Sequence, residues 1–370
     1  MIIKDIDVFQ EEGKFICKDI YIKGEKFAEE AEGEQIKFEN CYAIPGLVDI
    51  HFHGCMGEDF CNGTYESLAK IAEYQLQNGI MSICPASMTL SEEQLSSIFE
   101  NAAKYKNDKG ADLVGINMEG PFISMEKKGA QNPKYIVDTD VDFFNRLQDK
   151  ANGLVKIVDI AIENDTAYKF IEALHDKISI SLAHTTANYD ASKKAFDLGA
   201  RQLTHMFNAM NGVSHREPGP IGAAFDSPHV RVELIADGIH ISPTVIRMAF
   251  KLFGNDRIML ISDSMEATGM EDGEYALGGQ KVIKKGRLAT LESGTIAGSA
   301  SNLFECMTNA VKTMGIDLAS AVKCATVNPA KQIGIFDNYG SIDVNKFANL
   351  IILDKDTLEI KKLIFKGKIL

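Results

Sequence analysis

Eight short apolar runs, separated by stretches of helical periodicity, constrain this chain more than any other feature. They are Leu47 to Phe52, Ile80 to Pro85, Leu113 to Met118, Val155 to Ala161, Ile178 to Ala183, Gln202 to Thr204, Val230 to Ala236 and Ile258 to Ser262. Such runs have the length and the β-branched content of strands, and intervals of roughly 20 to 35 residues leave room for a helix after most of them. Eight βα units is the number that closes a parallel barrel. Helices are expected at Tyr65 to Gln77 after Asn62-Gly63, Glu92 to Tyr105 after an N-cap at Ser91, Tyr189 to Leu198 before Gly199, and Pro243 to Phe253 before Gly254. Leu303 to Thr313 and Leu318 to Ala325 follow the last strand.

The ends of the chain have a different pattern. Residues Ile2 to Ile44 hold short alternating strands (Lys14 to Ile22, Gln35 to Phe38) with glycine turns, and Asn349 to Leu370 is strand-like again. At 370 residues the chain exceeds what one hydrophobic core usually supports. The expected fold is therefore α/β: a (β/α)8 TIM-like barrel over 46–339, with a small β-sandwich domain built from both termini, 1–45 and 340–370. A further β-rich piece at about 275–296, with hairpin character around Lys285-Gly286, is expected as an insertion near the barrel mouth.

Charge narrows the partners. Lys+Arg number 39 against 52 Asp+Glu, a net charge of −13, which repels phosphodiester backbones and anionic membrane surfaces alike. No apolar stretch is long enough to span a bilayer, and the charges in Met1-Ile-Ile-Lys-Asp-Ile-Asp do not suit a signal peptide. The 7 cysteines are scattered, without a C-x-x-C pair, so a disulfide framework is not expected and a cytoplasmic location is.

Polar residues close the apolar runs. His51 and His53 share one strand at a spacing of two, so both imidazoles project to the same face. Glu119, His184, His205 and Asp263 each close a run of their own. In a parallel barrel all of these ends meet at one mouth. A lone histidine at a strand end is most often structural, but four histidines and two carboxylates converging on a small cavity would leave polar groups uncompensated at several kcal/mol each. A divalent cation removes that conflict, and imidazole with carboxylate suits Zn²⁺ or Fe²⁺, with Mn²⁺ and Co²⁺ accepted by the same set. The count yields two groups: Glu119, His184 and His205 around one ion, and His51 and His53 with Glu119 as a bridge around a second. A cation of this kind lowers the pKa of water toward roughly 7. Asp263 is then left to move protons, which is the layout of metal-assisted hydrolysis.

This order of residues, H-x-H, Glu, His, His, Asp, resembles the amidohydrolase superfamily. The surrounding segments are similar to its N-acetylglucosamine-6-phosphate deacetylase branch: Pro45-Gly-Leu-Val-Asp-Ile-His-Phe-His-Gly, Glu119-Gly-Pro-Phe, Lys128-Gly-Ala-Gln-Asn-Pro, Thr204-His-Met-Phe-Asn-Ala-Met, Arg216-Glu-Pro-Gly, Ala236-Asp-Gly-Ile-His, Ser262-Asp and Ala297-Gly-Ser. The resemblance implies removal of acetate from N-acetyl-D-glucosamine 6-phosphate, with Glu119 rather than a modified lysine bridging the metals, and one or two ions per chain. It implies that Arg216 meets the substrate phosphate together with the backbone near Asn208 and Ala209. It also implies substrate contacts from Ala130, Gln131, Asp237, Gly238, Ile239, His240, Ile296, Ala297 and Gly298. A homodimer is implied too, with His240 reaching a neighbouring subunit's ligand.

Some relatives carry a histidine where this chain has Gln131, which donates a hydrogen bond but adds no charge. Others lack the H-x-H pair, so its presence here favours two ions. Rival readings are an amidohydrolase acting on another N-acetyl amino sugar phosphate or a cyclic amide, and a catalytically silent sugar-phosphate sensor. Asp263 speaks against the sensor, which has no use for a proton shuttle. Cys55 and Cys61 are read as free thiols, His175, His215 and His229 as surface or loop residues, and Lys127-Lys128 as a solvated loop.

Overall fold

The computed structural model describes residues 1–106 and 109–370. Every one of the eight apolar runs contains a strand. Ala86–Ser87, Ile116–Glu119, Val155–Ile160, Ser179–Leu182, Gln202–Leu203, Arg231–Ile235 and Ile258–Ile261 pair in that order, all in parallel. Leu47–Asp49, Ile80–Ile83 and Asp112–Leu113 form a second parallel set. Backbone bonds sew the two sets into one ring: Asn117 N–H to Pro85 O, Cys84 N–H to Asp49 O, and Asp263 N–H to His51 O, each 2.9 Å. The result is a closed (β/α)8 barrel.

One expected strand is split. Leu113 to Met118 becomes Asp112–Leu113 and Ile116–Glu119, each pairing a different neighbour. The break falls around Gly115, where a Cβ would come 2.5 Å from Lys156 Cγ and 3.1 Å from Cys84 Sγ, so glycine leaves room for the side chains of the flanking strands.

Local chemistry explains most helices. Thr64 caps Tyr65–Gln77 by accepting from Ser67 N–H, and Ser91 with Gln94 forms a capping box on Glu92–Lys104. Asn302 and Glu305 do the same for Leu303–Lys312. Helices unmarked in the sequence reading are Val141–Lys150, Asp165–Leu174, Gly219–Phe225 and Val327–Gln332. The first buries only Phe144 and Leu147, too sparse a stripe to stand out.

Packing follows the layers. The outward faces of the strands meet the helices in the largest core cluster, which includes the fully buried Phe99, Phe170 and Phe196. Each such ring contributes about 1.5–3 kcal/mol by its burial. The barrel interior has a smaller cluster in which Val48, Ile157, Ile235 and Met259 meet Ala330 and Ile333, so the last short helix plugs the end opposite the mouth.

Both termini enter one further sheet. Ile2–Gln10, Lys14–Lys23, Lys26–Ala28, Gln35–Lys37 and Cys41–Pro45 from the start of the chain join Leu350–Asp354, Ile360–Phe365 and Lys368–Ile369 from its end. The seam is the antiparallel pair Cys41–Pro45 with Leu350–Asp354. Ile3, Val8, Ile20, Leu350 and Ile352 gather in a core of their own. The region around 275–296 is a three-stranded antiparallel sheet, Gly273–Leu277, Gln280–Lys285 and Leu288–Leu291, rather than a single hairpin. Among the described residues no helix is long and apolar enough to cross a membrane.

Candidate metal centre and active site

The strand ends carry His51, His53, Glu119, His184, His205 and Asp263 into one cluster, all of it buried. Glu119 is its hub. Its Oε1 lies 3.1 Å from His184 Nε2, 3.2 Å from His205 Nε2 and 3.5 Å from His51 Nε2, and its Oε2 lies 3.3 Å from His53 Nε2. Asp263 Oδ1 is 3.3 Å from His53 Nε2 and 3.8 Å from His51 Nε2. Two sets of ligand atoms, Glu119 with His184 and His205, and Glu119 with His51 and His53, each lie within 4.8 Å of one another. They are the two groups counted from the sequence.

The backbone that presents these groups is unusual. His184, His205 and Asp263 have φ of 44°, 28° and 50°, and Phe207 and Ala209 follow with 82° and 52°. The left-handed region costs a residue with a Cβ about 1–3 kcal/mol and persists where surrounding bonds over-determine it. Here those bonds are Ser124 N–H to His184 O, His205 N–H to Glu233 Oε2 and Asp263 N–H to His51 O. Neither His51 nor His53 lies in that region.

The far nitrogens of the rings are held as well. His51 Nδ1 is 3.0 Å from Glu233 Oε2, His53 Nδ1 3.3 Å from Ala86 O, and His184 Nδ1 2.7 Å from Lys127 O. All three partners are acceptors, so each Nδ1 donates and each Nε2 is left facing Glu119 as the nitrogen that would ligate a metal ion.

Charge tightens the cluster. Burial alone would raise the Glu119 carboxyl, but His51, His184 and His205 outweigh it and hold the group well below the usual carboxylate range. Asp263 is lowered too: burial opposes this, and the hydrogen bond to His53 with the charges of His51, His53 and His205 prevails. Asp49 goes the other way, pushed up to about 7 by burial despite its bond from Ser262.

A divalent cation fits these residues. His51 Nε2 is buried without a hydrogen-bond partner, although it faces Glu119. His205 Nδ1 is buried without a partner as well, and His184 Nε2 and His205 Nε2 stand 3.2 Å apart with both aimed at Glu119 Oε1, a convergence of donor atoms that a cation would satisfy. Imidazole and carboxylate are the donors such an ion takes.

The cluster opens into a cavity of about 380 Å³, within the range of small-molecule sites. His53, Glu119, His184, His205 and Asp263 form its floor. Of the substrate contacts implied by resemblance, Ala130, Gln131, Asn208, Ala209, His240, Ile296 and Gly298 line it. Gln131 donates to Glu119 Oε2 at 2.7 Å and accepts from Thr89 N–H at 2.7 Å, so its amide is held at both ends with one N–H left over. Asp237 supports from behind, its Oδ2 2.7 Å from His240 Nδ1. Gly238 and Ile239 complete that turn, and Ile239 N–H donates to Asp237 Oδ1. Ala297 is buried beside Gly298, where φ is 63° and a Cβ would meet Asp263 O at 3.1 Å.

One expectation needs correction, and Arg216 stands apart: its side chain is exposed and outside the cavity lining. Ser214 N–H donates to Glu217 O, while the Glu217 carboxylate accepts from Tyr189 N–H and Gly219 N–H. Lys127, read as solvated, is half-buried and lines the cavity, its ammonium 3.4 Å from Met210 O. It is the one Lys or Arg side chain among the described lining residues. Sequence reasoning also missed Met88, Leu277 and Thr295 on the walls and Glu233 behind His51. The only signal for Glu233 was a carboxylate in the middle of an apolar run. Cys55 and Cys61 take no part in the ligand groups, and Cys61 Sγ accepts from Met88 N–H.

Comparison with known proteins agrees with this geometry. The Amidohydrolase family matches residues 42–370. The chain is 38% identical over 319 residues to the N-acetylglucosamine-6-phosphate deacetylase of Bacillus subtilis (strain 168), covering 85% of this chain and 81% of the relative. It is 30% identical over 328 residues to the N-acetylgalactosamine-6-phosphate deacetylase of Escherichia coli O157:H7, covering 88% and 86%. A solved structure of a Mycobacterium smegmatis N-acetyl-D-glucosamine-6-phosphate deacetylase mutant, in complex with N-acetyl-D-glucosamine-6-phosphate, superposes with a TM-score of 0.93 at 29% identity, covering 100% of this chain and 98% of that one. With the family model matching residues 42–370 and relatives matching most of its length, the chain belongs to the amidohydrolase family.

Proposed function

We propose that the chain hydrolyses the acetamide of N-acetyl-D-glucosamine 6-phosphate, releasing acetate and D-glucosamine 6-phosphate. The observation that carries this reading is Asp263 beside two histidine groups that share Glu119, at the floor of a cavity of about 380 Å³. Relatives and solved structures with that activity in their names support it.

Glu119, His184 and His205 would hold one divalent cation, and His51 and His53 with Glu119 a second. Zn²⁺ or Fe²⁺ is favoured, and Mn²⁺ or Co²⁺ suits the same donors. When bound, such ions polarise an amide oxygen and acidify water toward neutral pH. Asp263, kept ionised by its histidine neighbours, takes a proton from the attacking water and returns it to the leaving nitrogen. Gln131, tied to Glu119, faces the acetamide as a neutral hydrogen-bond donor. His240, fixed by Asp237, faces the sugar. The phosphate meets Lys127 and the backbone of Asn208 and Ala209, with Arg216 approaching from outside the cavity. Lysine suits this place because its ammonium is a mobile point charge and phosphate oxygens accept from any direction.

The same reading includes a homodimer, supported by the exposed Ile239 next to His240. It also includes the terminal segments, 1–45 and 340–370, as a domain with its own core, and a cytoplasmic location, supported by seven unpaired cysteines.

A second reading, N-acetyl-D-galactosamine 6-phosphate as the substrate, draws on the Escherichia coli relative. Acetate release from both sugar phosphates, before and after chelation and with metal added back, tests the two together. The first reading requires chelator-sensitive turnover with the glucosamine form preferred. A preference for the galactosamine form transfers the assignment, and turnover untouched by thorough metal removal defeats both.

A further inference from the structure

Glu233 is the largest feature of the barrel interior that the proposed chemistry leaves unused. It sits mid-strand in Arg231–Ile235, where alternation sends Val232 and Leu234 outward into the main core and turns Glu233 inward with Ile235. Its side chain is 0% exposed. A carboxylate so enclosed is retained only where every oxygen is matched. Oε1 accepts from Gln202 Nε2 at 2.6 Å, and Oε2 accepts both from His51 Nδ1 at 3.0 Å and from the backbone N–H of His205 at 3.1 Å. Among the described residues no Lys or Arg pairs with it.

That second oxygen touches both ligand groups at once. Through the ring of His51 it reaches the set formed with His53, and through the amide of His205 it reaches the set formed with His184. The two contacts differ in kind. His205 is held by its backbone, at a residue with φ of 28°, while its own Nδ1 has no partner. His51 is held by its ring: donation from Nδ1 to Glu233 leaves Nε2 as the lone-pair nitrogen facing Glu119. His53 and His184 have only backbone carbonyls as outer partners, so His51 alone is backed by a full negative charge. A carboxylate behind a ligating imidazole fixes its tautomer and raises its basicity, and losing such a partner lowers metal affinity by about 10–100-fold.

We propose that Glu233 is the positioning residue for the second cation, selecting the ligating tautomer of His51. The inference rests on the two-cation reading of the site. Gln202 is part of the same device. It takes up Glu233 Oε1, and its own carbonyl accepts from Gln332 Nε2 at 2.9 Å, so the carboxylate is anchored to the helix that plugs the barrel.

The test is a metal titration of the whole chain, metal-free at the start, with Zn²⁺ or Co²⁺. Bound equivalents are counted at each free-metal level and d–d spectra recorded with Co²⁺. Wild type is expected to take two equivalents. Glu233→Leu, which fills the space without an acceptor, is expected to bind the first equivalent normally and the second about 10–100-fold more weakly. Glu233→Gln, whose carbonyl still accepts from His51, is expected to recover most of that loss. Unchanged second-site affinity in Glu233→Leu overturns the inference, as does equal weakening of both equivalents, which marks a merely structural group. Should Glu233→Leu not fold, Glu233→Gln decides by itself: a several-fold selective weakening of the second equivalent is expected, and none overturns the inference. A wild-type chain that never takes a second equivalent overturns the two-cation reading, and this inference with it, whereas two equivalents with an indifferent Glu233 overturn this inference alone.

Discussion

The two ligand groups around Glu119 are built by different means. His184 and His205 stand on left-handed backbone at the ends of neighbouring strands, a geometry that helps aim them beside the Lys127 carbonyl on His184 and the Glu233 carboxylate on the His205 backbone. His51 and His53 stand on ordinary backbone and owe their aim to outer partners, a carboxylate for one and a carbonyl for the other. Backbone strain is distributed over a whole turn and resists single substitutions. A side-chain prop can be lost in one step. The first group should therefore tolerate changes in its surroundings better than the second.

Removing what the groups share has the largest expected effect. Glu119→Ala takes a ligand from both sets, and metal analysis should find neither ion retained. Turnover, measured as acetate release, should fall on the order of 10⁴-fold, since metal polarisation is worth several kcal/mol and each 1.36 kcal/mol is tenfold. Retention of one full equivalent would show that the groups are more independent than their geometry implies.

Next comes Asp263→Asn, which leaves both sets of histidines in place. Both ions should stay while turnover drops by about 10²–10⁴-fold, the range for a lost general base. A fully active Asp263→Asn enzyme would strip that residue of its proton-transfer role.

A paired substitution addresses the contrast directly. His184→Ala should cost one ion and about 10²-fold in turnover, and His51→Ala the other ion and closer to tenfold, as expected if the ion held on strained backbone carries more of the Lewis-acid work. Equal losses would mean that the two ions act as one unit.

The smallest effects belong to the mouth. Lys127→Ala should raise KM for the phosphorylated sugar about tenfold with little change in kcat, in line with about 1.5–3 kcal/mol for a charged hydrogen bond. Arg216→Ala, in an exposed loop, should raise it by a smaller factor, and neither should affect an unphosphorylated substrate. The reverse order would place Arg216 in the cavity once substrate is bound.

Much of this arrangement was legible in the sequence because strands and their ends are marked by contrast. An apolar run closed by histidine or a carboxylate is conspicuous, and all five residues of the floor, with His51 beside them, were found that way. Capped helices such as Glu92–Lys104 were equally plain, since Ser91 and Gln94 announce the cap three residues apart. What escaped notice lacked contrast or obeyed no local rule. Left-handed backbone is signalled strongly only by glycine, and the modest enrichment of Asp and His there is too weak a mark to single out His184, His205 or Asp263. Glu233 lay inside a run already explained as a strand, and only the ring closing around it turns a carboxylate into a partner for His51. Lys127 looked like any surface lysine until the turn of His184 brought its carbonyl against that ring. Asp165–Leu174 is a different case: Ala167, Phe170, Ile171 and Leu174 have helical spacing, and the pattern was there to be used.

The seam between Cys41–Pro45 and Leu350–Asp354 has a consequence for biosynthesis. Cys41–Pro45 runs within one residue of Leu47–Asp49, the first barrel strand, yet its partner Leu350–Asp354 is synthesised only after every barrel strand. Until then this strand presents an unsatisfied edge, the kind that recruits strands from other nascent molecules. Synthesis of Leu350–Asp354, rather than completion of the barrel, is the event that retires this hazard, so premature termination shortly before residue 350 should yield a product with every catalytic side chain and a strong tendency to aggregate.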